Sequence, residues 1–553
     1  MNRLNLSRRS LLKQSALAAA SIPFLRHLRA QTFGSSANEI MKGKYVPTWD
    51  SLKQWRMPEW FRDAKFGIWA HWTAQCVPEQ GDWYARNMYI QGNPQYEFHC
   101  KTYGHPSRVG FKEIDHLWKA ERWQPEQLMD LYVAAGAKYF YALGCHHDNL
   151  DCFDSSHNHW NTTRVGPMKD IVGTWEKIVR QRGLRFGISN HSSHAWHWLQ
   201  PAYGYDPEGP MAGLRYDAYT LAKADGKGQW WDGLDPQELY TGRNIVMPDG
   251  LKTIAEANAW HEGGDGKWHE EAPPVNPEFT RKWFLRCKEM VDKYKPDMLY
   301  FDDTELPLGQ AGLDVVAHYY NANLHWRNEE AIVAAKEYTP EHLGASMLDI
   351  ERGRAQGILE APWQTDTCIG DWHYRRSLFE EHTYKRPSTV AQMLIDIVSK
   401  NGNLMLNIPV RGDGSIDEDE HEFLRDLGGW MSVNGEAIYG TRPFAVFGEG
   451  PPDVVGAHNF NEQHARPYTA EDIRFTRKGN QIYAFALGWP RDGILRVKTL
   501  AKGSSVYPQP IHGVEMLGHA GPLVFEQTAD ALEVRLPARD PESLDAYSFR
   551  ILT

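Results

Sequence analysis

The chain has 553 residues, 42% of them hydrophobic and 24% charged, which are the proportions of an ordinary globular protein. Its length favours two domains over a single core. The net charge of -11 argues against a nucleic-acid binder, because neutralising phosphates needs a basic surface. The 22 Trp, 25 Tyr and 21 Phe residues fit either carbohydrate binding, since flat rings pack on sugar C–H faces, or simply a large aromatic core.

The first 31 residues have the features of an export signal. Arg8 and Arg9 precede the uncharged, Ala-rich stretch 15–25, and Ala30 ends a small-residue cleavage sequence. This pattern is typical of twin-arginine signals, which carry folded proteins out of the cytoplasm. The stretch is too short to span a bilayer, and no other window is apolar enough to do so. We therefore predict a periplasmic or secreted protein without a membrane span.

Short apolar runs alternate with amphipathic stretches from about residue 50 to 435. Parallel strands joined by helices produce this alternation, and its length fits a (β/α)8-like barrel of the TIM type with insertions. We predict that residues 32–435 form the barrel. The stretch from about 200 to 275, rich in Gly, Pro, Trp and Asp, is predicted to be an insertion over its mouth. The predicted strands include residues 65–72, 138–144, 184–190, 297–303 and 403–409.

The last part of the chain has a different pattern. Short β-rich runs are separated there by turn sequences such as KGN and RDG. This spacing is typical of antiparallel sheets packed face to face. We predict a C-terminal antiparallel β-sandwich over residues 436–553.

Polar side chains directly follow several of the predicted barrel strands. In a barrel of parallel strands the active site lies at the carboxyl ends of the strands, so these side chains are predicted to meet in one site. A cluster of His and Asp residues admits two chemistries, that of a metal-dependent hydrolase and that of a glycoside hydrolase. The residues are His71, His146, His147, Asp148, Asn190, His191, Asp302 and Asp303.

A metal-dependent hydrolase is the less favoured interpretation. His146 and His147 are adjacent, and adjacent residues of a strand point to opposite faces, so they share a metal only if the strand has already ended. No H-x-H, HExxH or Cys-x-x-Cys motif stands at the expected place. We therefore expect neither a metal nor another cofactor.

A glycoside hydrolase agrees with more of the features. Retaining cleavage needs a carboxylate nucleophile about 5 Å from a second carboxyl that serves as acid and then as base. Carboxylates at strand ends, the aromatic residues and the export signal all fit this chemistry. The segment DMLYFDDTEL (297–306) places Asp302, Asp303 and Glu305 directly after an apolar run.

Seven segments, spread over about residues 45–445, carry a resemblance to a known family. They are AKFGIWAHW (64–72), GDWYARNMY (81–89), AGAKYFYALGCHHDNLDCFDS (135–155), GPMKDIVG (166–173), PDMLYFDDT (296–304), PWQTDTCIGDWHYRR (362–376) and NGNLMLNIPVRGDGSID (401–417). In this order they resemble the motifs of the α-L-fucosidases of glycoside hydrolase family 29. The resemblance implies a (β/α)8-like barrel followed by a β-sandwich. It also implies a retaining exo-glycosidase that releases terminal α-L-fucosyl residues from a glycan or oligosaccharide through a covalent glycosyl-enzyme.

The resemblance places the nucleophile at Asp302, because the family's nucleophile is the Asp that ends the strand in a W-x-D-G-like motif. Strand alternation agrees: Tyr300 and Asp302 share the face that points into the barrel mouth. Asp303 then points away, where it caps or forms a salt bridge.

The resemblance also implies a set of sugar-binding residues. The family's acidic-Trp pair becomes Asp82-Trp83, with an acidic side chain one methylene shorter, and His191 stands where the family has a Tyr. The predicted aromatic contacts of the sugar's C5 methyl are Trp69, Tyr300 and Trp372. The remaining predicted sugar-binding residues are His71, His146 and His147.

The acid/base is predicted to be Glu351, which follows an apolar, strand-like run one βα unit beyond the nucleophile. Its loop varies within the family, and spacing cannot select one carboxyl group. Glu305, Glu360 and Asp366 are the alternatives.

Two other functions stay open at this point. A related α-L-glycosidase, such as an α-L-galactosidase, differs in accepting a C6 hydroxyl, and a hydrophobic pocket discriminates weakly against an added hydroxyl. A non-hydrolytic carbohydrate-binding protein is the second, since fold does not fix function, although the strand-end Asp and His residues argue against it. The sequence indicates neither the fucosyl linkage nor the oligomeric state.

Overall fold

The computed structural model describes residues 36–452, 459–539 and 544–553. The predicted signal sequence, residues 1–31, lies outside the described residues. No helix in the described ranges is long and apolar enough to cross a membrane.

Eight parallel strands form a closed barrel in which each strand pairs with its neighbours in chain order, and the eighth closes on the first. The predicted barrel is therefore confirmed. Four of the eight strands are buried along their whole length, and parallel strands covered on both faces carry near-continuous apolar runs for this reason. The strands are β1 (Phe66–Ala70), β2 (Tyr139–Cys145), β3 (Arg185–Asn190), β4 (Met298–Thr304), β5 (Ile332–Lys336), β6 (Met347–Asp349), β7 (Trp363–Cys368) and β8 (Gly402–Asn407).

Helices cover the outside of the barrel and fill its loops. They are α1 (Trp49–Leu52), α2 (Glu59–Ala64), α3 (Tyr84–Asn87), α4 (Pro94–Thr102), α5 (Phe111–Leu117), α6 (Pro125–Ala134), α7 (Ile171–Gln181), α8 (Ala195–Trp198), α9 (Asp217–Thr220), α10 (Pro236–Leu239), α11 (Ile254–Gly263), α12 (Pro277–Tyr294), α13 (Gln310–Arg327), α14 (Arg376–Glu380), α15 (Pro387–Ser399) and α16 (Glu418–Asn434).

The helix before the fourth strand shows how the sequence sets these elements. Asn276 caps α12 by accepting a hydrogen bond from the Phe279 amide, and Pro277 occupies the first turn, where its missing N–H costs nothing. One face of α12 is buried, and its Trp283 ring packs 5.8 Å from the ring of Phe301 in β4. Phe301 therefore faces the helices, and strand alternation turns its neighbour Asp302 to the opposite side.

The connections around β6 depart from the regular repeat. Residues 337–346 and 350–362 are described and contain no helix. The sixth strand has three residues, and a loop rather than a helix joins it to the fifth. These two loops leave the carboxyl ends of β5 and β6 open to contacts from other parts of the chain.

Two antiparallel sheets follow the barrel and enclose a second apolar core, which includes Ile473, Phe475 and Phe549. The predicted sandwich is confirmed. Their strands are β9 (Arg442–Glu449), β10 (Ile473–Lys478), β11 (Gln481–Ala486), β12 (Ile494–Val497), β13 (Gly513–Met516), β14 (Phe525–Gln527), β15 (Leu532–Arg535) and β16 (Tyr547–Leu552). One sheet has the strand order β13-β16-β11-β10-β9 and the other the order β12-β15-β14.

Candidate active site

Asp302 lies at the carboxyl end of β4 among cationic and hydrogen-bonding groups. Its Oδ2 atom is 3.3 Å from Nε2 of His147 and 3.1 Å from Nδ1 of His191, and its Oδ1 atom contacts the Lys336 ammonium. Burial alone raises the pKa of Asp302. The Lys336 ammonium and the two histidines outweigh burial and hold that pKa well below its ordinary value. Asp302 is therefore ionised, which is the form a nucleophile needs.

Lys336, at the end of β5, joins Asp302 to a second carboxylate. Its Nζ atom donates to Asp302 and, over 2.6 Å, to Oε2 of Glu351. Because both carboxylates touch one nitrogen, their nearest oxygens lie within the roughly 5 Å that separates the two groups of a retaining glycosidase. The sequence analysis missed Lys336. The signal was available, since this lysine directly follows the apolar run of β5, but that run was not assigned as a strand.

Glu351 follows β6. It is held by the segment that precedes β10, the second strand of the sandwich. The Phe460 amide donates to the Glu351 carbonyl over 2.7 Å, and the Glu351 amide donates to Oδ1 of Asn459 over 2.9 Å. The Glu462 amide likewise donates to the Arg352 carbonyl over 3.0 Å. The loop that carries Glu351 is thus fixed by residues about a hundred positions away, which no sequence spacing could reveal.

The other three acid/base alternatives lie in different surroundings. Glu305 accepts a bond of 2.9 Å from Nδ1 of His342, and Glu360 is exposed. Asp366 is buried inside the barrel, where the Tyr300 hydroxyl donates to it over 3.0 Å. Burial raises the pKa of Asp366 to about 7. Of the four, Glu351 is the one that shares the ammonium contact with Asp302.

Neutral histidines lie beside Asp302. The His71 ring is 4.9 Å from that of His146 and 5.0 Å from that of His191, measured between centroids. Burial lowers the pKa of His71 and His146 well below the usual value. Both ring nitrogens of His71 are buried without a hydrogen-bond partner among the described residues. Such nitrogens fit the hydroxyl groups of a bound ligand.

Neighbouring groups fix the tautomers of the two adjacent histidines. The Gln75 amide donates to Nδ1 of His146 over 2.8 Å, so Nε2 of the neutral ring carries the proton. The same amide donates to Asp148 over 3.1 Å. Nδ1 of His147 donates to the His191 carbonyl over 2.7 Å. His146 and His147 both reach the site because β2 ends at Cys145, so strand alternation no longer separates them.

The predicted aromatic residues come together as one wall. The Trp69 ring lies 5.2 Å from the Tyr300 ring and 5.5 Å from the Trp372 ring. The same ring is 5.6 Å from His191. The Trp69 indole N–H is buried without a partner among the described residues. The wall therefore offers an apolar surface with a hydrogen-bond donor.

Asp82 and Trp83 lie at the edge of the space between the histidines and the aromatic wall. Oδ1 of Asp82 accepts a bond of 2.8 Å from the His373 amide, and the His373 ring packs 4.8 Å from that of His71. Burial acts to raise the pKa of Asp82, but the bonds from His373 outweigh it and lower that pKa to about 2. The Trp83 ring meets Trp198 edge-on at 6.1 Å.

Asp303 points to the opposite side of β4, as alternation predicts. The Ser193 hydroxyl donates to its Oδ2 atom over 2.8 Å, and Nε2 of His194 lies 2.9 Å from its Oδ1 atom. Asp303 thus belongs to a separate group of side chains.

Three groups of side chains have the spacing of metal ligands. Two of them coincide with the space already described, and the third lies behind Asp302 around Asp303. The groups are His71 with His146 and His191, His147 with His191 and Asp302, and His194 with Glu270 and Asp303.

A closed parallel barrel with two carboxylates at one ammonium, beside neutral histidines and an aromatic wall, defines a glycoside hydrolase. Comparison with known proteins agrees. The sequence model of the α-L-fucosidase family matches residues 32–436, and that of the α-L-fucosidase C-terminal domain matches residues 466–552. The chain belongs to the α-L-fucosidase family.

Curated relatives are similar over nearly their whole length. Human tissue α-L-fucosidase is 26% identical, and the matched region covers 91% of this chain and 90% of the human protein. Rat plasma α-L-fucosidase is 27% identical, and the matched region covers 89% of this chain and 90% of the rat protein. Among solved structures, a Thermotoga maritima α-fucosidase in complex with a mechanism-based inhibitor has a TM-score of 0.65 at 24% identity, covering 92% of this chain and all of that one. A T. maritima α-L-fucosynthase in complex with α-L-Fuc-(1-2)-β-L-Fuc-N3 has a TM-score of 0.64 at 25% identity over the same shares.

Proposed function

We propose that the protein is an exported, retaining exo-α-L-fucosidase with Asp302 as nucleophile and Glu351 as acid/base. The observation that carries the proposal is the contact of both carboxylates with the Lys336 ammonium. It supports a pair at the separation of retaining enzymes rather than the wider one of inverting enzymes.

In the first step an Asp302 oxygen attacks the anomeric carbon as the glycosidic C–O bond breaks. The Glu351 carboxyl gives its proton to the leaving oxygen. A water molecule then enters, loses a proton to Glu351 and attacks the same carbon, which releases Asp302 and the sugar with its original configuration.

The neutral histidines and the aromatic wall give the proposed pocket its preference for one terminal sugar. His71, His146 and His191 offer ring nitrogens to hydroxyl groups, whereas Trp69 and Trp372 offer apolar faces. A fucosylated glycan or oligosaccharide is therefore the proposed substrate. No resident metal takes part in the two steps.

The export proposal rests on the pattern of the first 31 residues. The family match begins at residue 32, where that pattern ends. We propose that residues 1–31 are a twin-arginine signal, residues 32–435 the catalytic barrel and residues 436–553 the sandwich. Replacing both Arg8 and Arg9 by lysine should leave the enzyme in the cytoplasm of a host that has this pathway, and unchanged export would contradict the proposal.

The catalytic proposal is tested with a panel of aryl α-L-glycosides followed by natural fuco-oligosaccharides. We expect hydrolysis of the α-L-fucoside, with the α anomer of fucose as first product by NMR. Preference for the α-L-galactoside would assign the chain to a related activity. Binding of the fucoside without turnover would instead indicate a carbohydrate-binding protein.

A further inference from the structure

A buried group of side chains behind the proposed pocket joins β4 to the insertion after β3. Nε2 of His194 lies 2.9 Å from Oδ1 of Asp303 and 3.7 Å from Oε2 of Glu270. The carbonyl oxygen of Asp302 is 3.2 Å from the same nitrogen. His194 and Asp303 are almost completely buried, with side chains 0% and 1% exposed. One ring nitrogen thus faces three oxygen atoms.

The protons of His194 follow from its contacts. The Asp302 carbonyl only accepts, so its distance of 3.2 Å from Nε2 of His194 places a proton on that nitrogen. Nδ1 of His194 lies 3.2 Å from Nε2 of His197. A metal ion bound at Nε2 of His194 would displace the proton there, as metal binding to histidine does in general.

The carboxyl groups of Asp303 and Glu270 face each other as well as His194. Oδ1 of Asp303 and both carboxylate oxygens of Glu270 are buried without an aligned hydrogen-bond partner among the described residues. The second Asp303 oxygen is fixed by the Ser193 hydroxyl at 2.8 Å, so the first stays turned toward His194. Carboxyl groups that face one another in a buried space need a proton or a metal cation between them.

We propose that His194, Glu270 and Asp303 bind one divalent transition-metal ion of the zinc class. Imidazole and carboxylate groups are suited to such ions, which form bonds of about 2.0–2.2 Å. Ligand atoms around an ion of that size lie roughly 3 to 3.6 Å apart. The separations of 2.9 Å and 3.7 Å lie 0.1 Å beyond the two ends of this range. The hydrogen bond to His197 is the kind of outer contact that orients a ligating histidine.

The proposed ion ties the insertion to the strand that carries Asp302. Glu270 belongs to the insertion, and Asp303 is the residue after Asp302. The ring of Trp268, two residues before Glu270, packs against the His194 ring at 3.8 Å and lies 5.3 Å from that of His147, which contacts Asp302. The ion would therefore hold the insertion against the pocket rim and act by positioning, not in bond cleavage. The inference does not depend on the proposed function.

Calorimetric titration of the chelator-stripped full-length protein with Zn²⁺ tests the proposal. We expect one ion bound per chain, weaker binding of Mn²⁺, and a rise in Tm on loading. Glu270→Gln should abolish this binding, and His197→Ala, which removes only the outer contact, should weaken it about 10- to 100-fold. Glu271→Gln is the matched control, because it removes the same charge from an exposed neighbour, and it should bind as the unaltered protein does.

Two results would overturn the proposal. One is the lack of stoichiometric Zn²⁺ binding by the unaltered protein, whose folding is not in question. The other is binding that survives Glu270→Gln but is lost in His146→Ala, because the ion would then occupy the sugar pocket. Neither readout uses turnover, so failure of the proposed α-L-fucosidase activity would be recognised separately.

Discussion

Nζ of Lys336 lies 2.6 Å from Oε2 of Glu351, and the same ammonium contacts Asp302. The ammonium holds the pKa of Asp302 well below its ordinary value, and its second contact, with Glu351, sets the separation of the two carboxyl groups. In the proposed mechanism this matters because one group must stay ionised while the other exchanges a proton. Lys336 is thus expected to organise the pair rather than to react with substrate.

Asp302→Ala should abolish turnover without unfolding the protein. Loss of the nucleophile removes the covalent step, and we expect kcat to fall at least about 1,000-fold, a barrier increase of about 4 kcal/mol. Azide should restore part of the activity by attacking in place of the carboxylate. Kinetics with an aryl α-L-fucoside measure both effects. An equal loss in Asp303→Ala, with folding intact by circular dichroism, would contradict the assignment of the nucleophile.

Glu351→Gln should affect substrates according to their leaving groups. Natural oligosaccharides need protonation of the leaving oxygen, so their kcat/KM should fall about 100- to 10,000-fold. An aryl fucoside with an acidic phenol needs little protonation and should lose much less in its first step. Glu305→Gln and Glu360→Gln serve as matched controls with the same charge change. If either of them reproduces this leaving-group dependence and Glu351→Gln does not, the acid/base lies elsewhere.

Lys336→Met should lower activity although lysine makes no proposed contact with the reacting atoms. Without the ammonium Asp302 loses the cation that lowers its pKa, and Glu351 loses its 2.6 Å bond. We expect kcat/KM to fall about 100-fold and Lys336→Arg, which keeps the charge, to lose less. Lys385→Met is the control, because that ammonium is bound by Glu462 at 2.8 Å. If the Lys336→Met and Lys385→Met variants have equal activities, Lys336 does not organise the pair of carboxyl groups.

The sequence predicted most of the fold, because parallel strands and helices leave periodic apolar patterns. It predicted fewer features where the pattern breaks. The fifth strand, Ile332–Lys336, was not assigned, so Lys336 was missed. The contacts of Asn459 and Phe460 with Glu351 join residues about a hundred positions apart, and no local pattern encodes them.

The candidate site divides in the same way. Strand ends are readable from sequence, and the predicted residues His71, His147 and Asp302 lie close together at that end of the barrel. Partner choice depends on tertiary packing, so the contacts of Asp303 with His194 and Glu270 were not predicted. For the same reason the sequence could not choose between Glu351 and Asp366, which differ in burial and partners rather than in spacing.

Asp366 should make stability depend on pH in a specific direction. Burial raises its pKa in the folded protein to about 7, whereas an unfolded aspartate titrates near its ordinary value of about 3.9. Between these values the folded state binds more protons than the unfolded state. The folded state therefore loses stability as the pH rises through this window, and the whole penalty is present above about pH 7.

Asp366→Asn removes that penalty, because the amide keeps an acceptor for the Tyr300 hydroxyl and has no proton to lose. The Tm of the variant, relative to that of the unaltered protein, should rise between about pH 4 and pH 7 and then level off. Asp530→Asn, an exposed site with the same charge change, is the control for general charge effects. A Tm difference between Asp366→Asn and the unaltered protein that stays constant over this range would show that Asp366 is ionised in the folded state throughout. The carboxyl group would then be a charged neighbour of Lys336, and the electrostatic balance described for Asp302 and Glu351 would have to include a third negative charge.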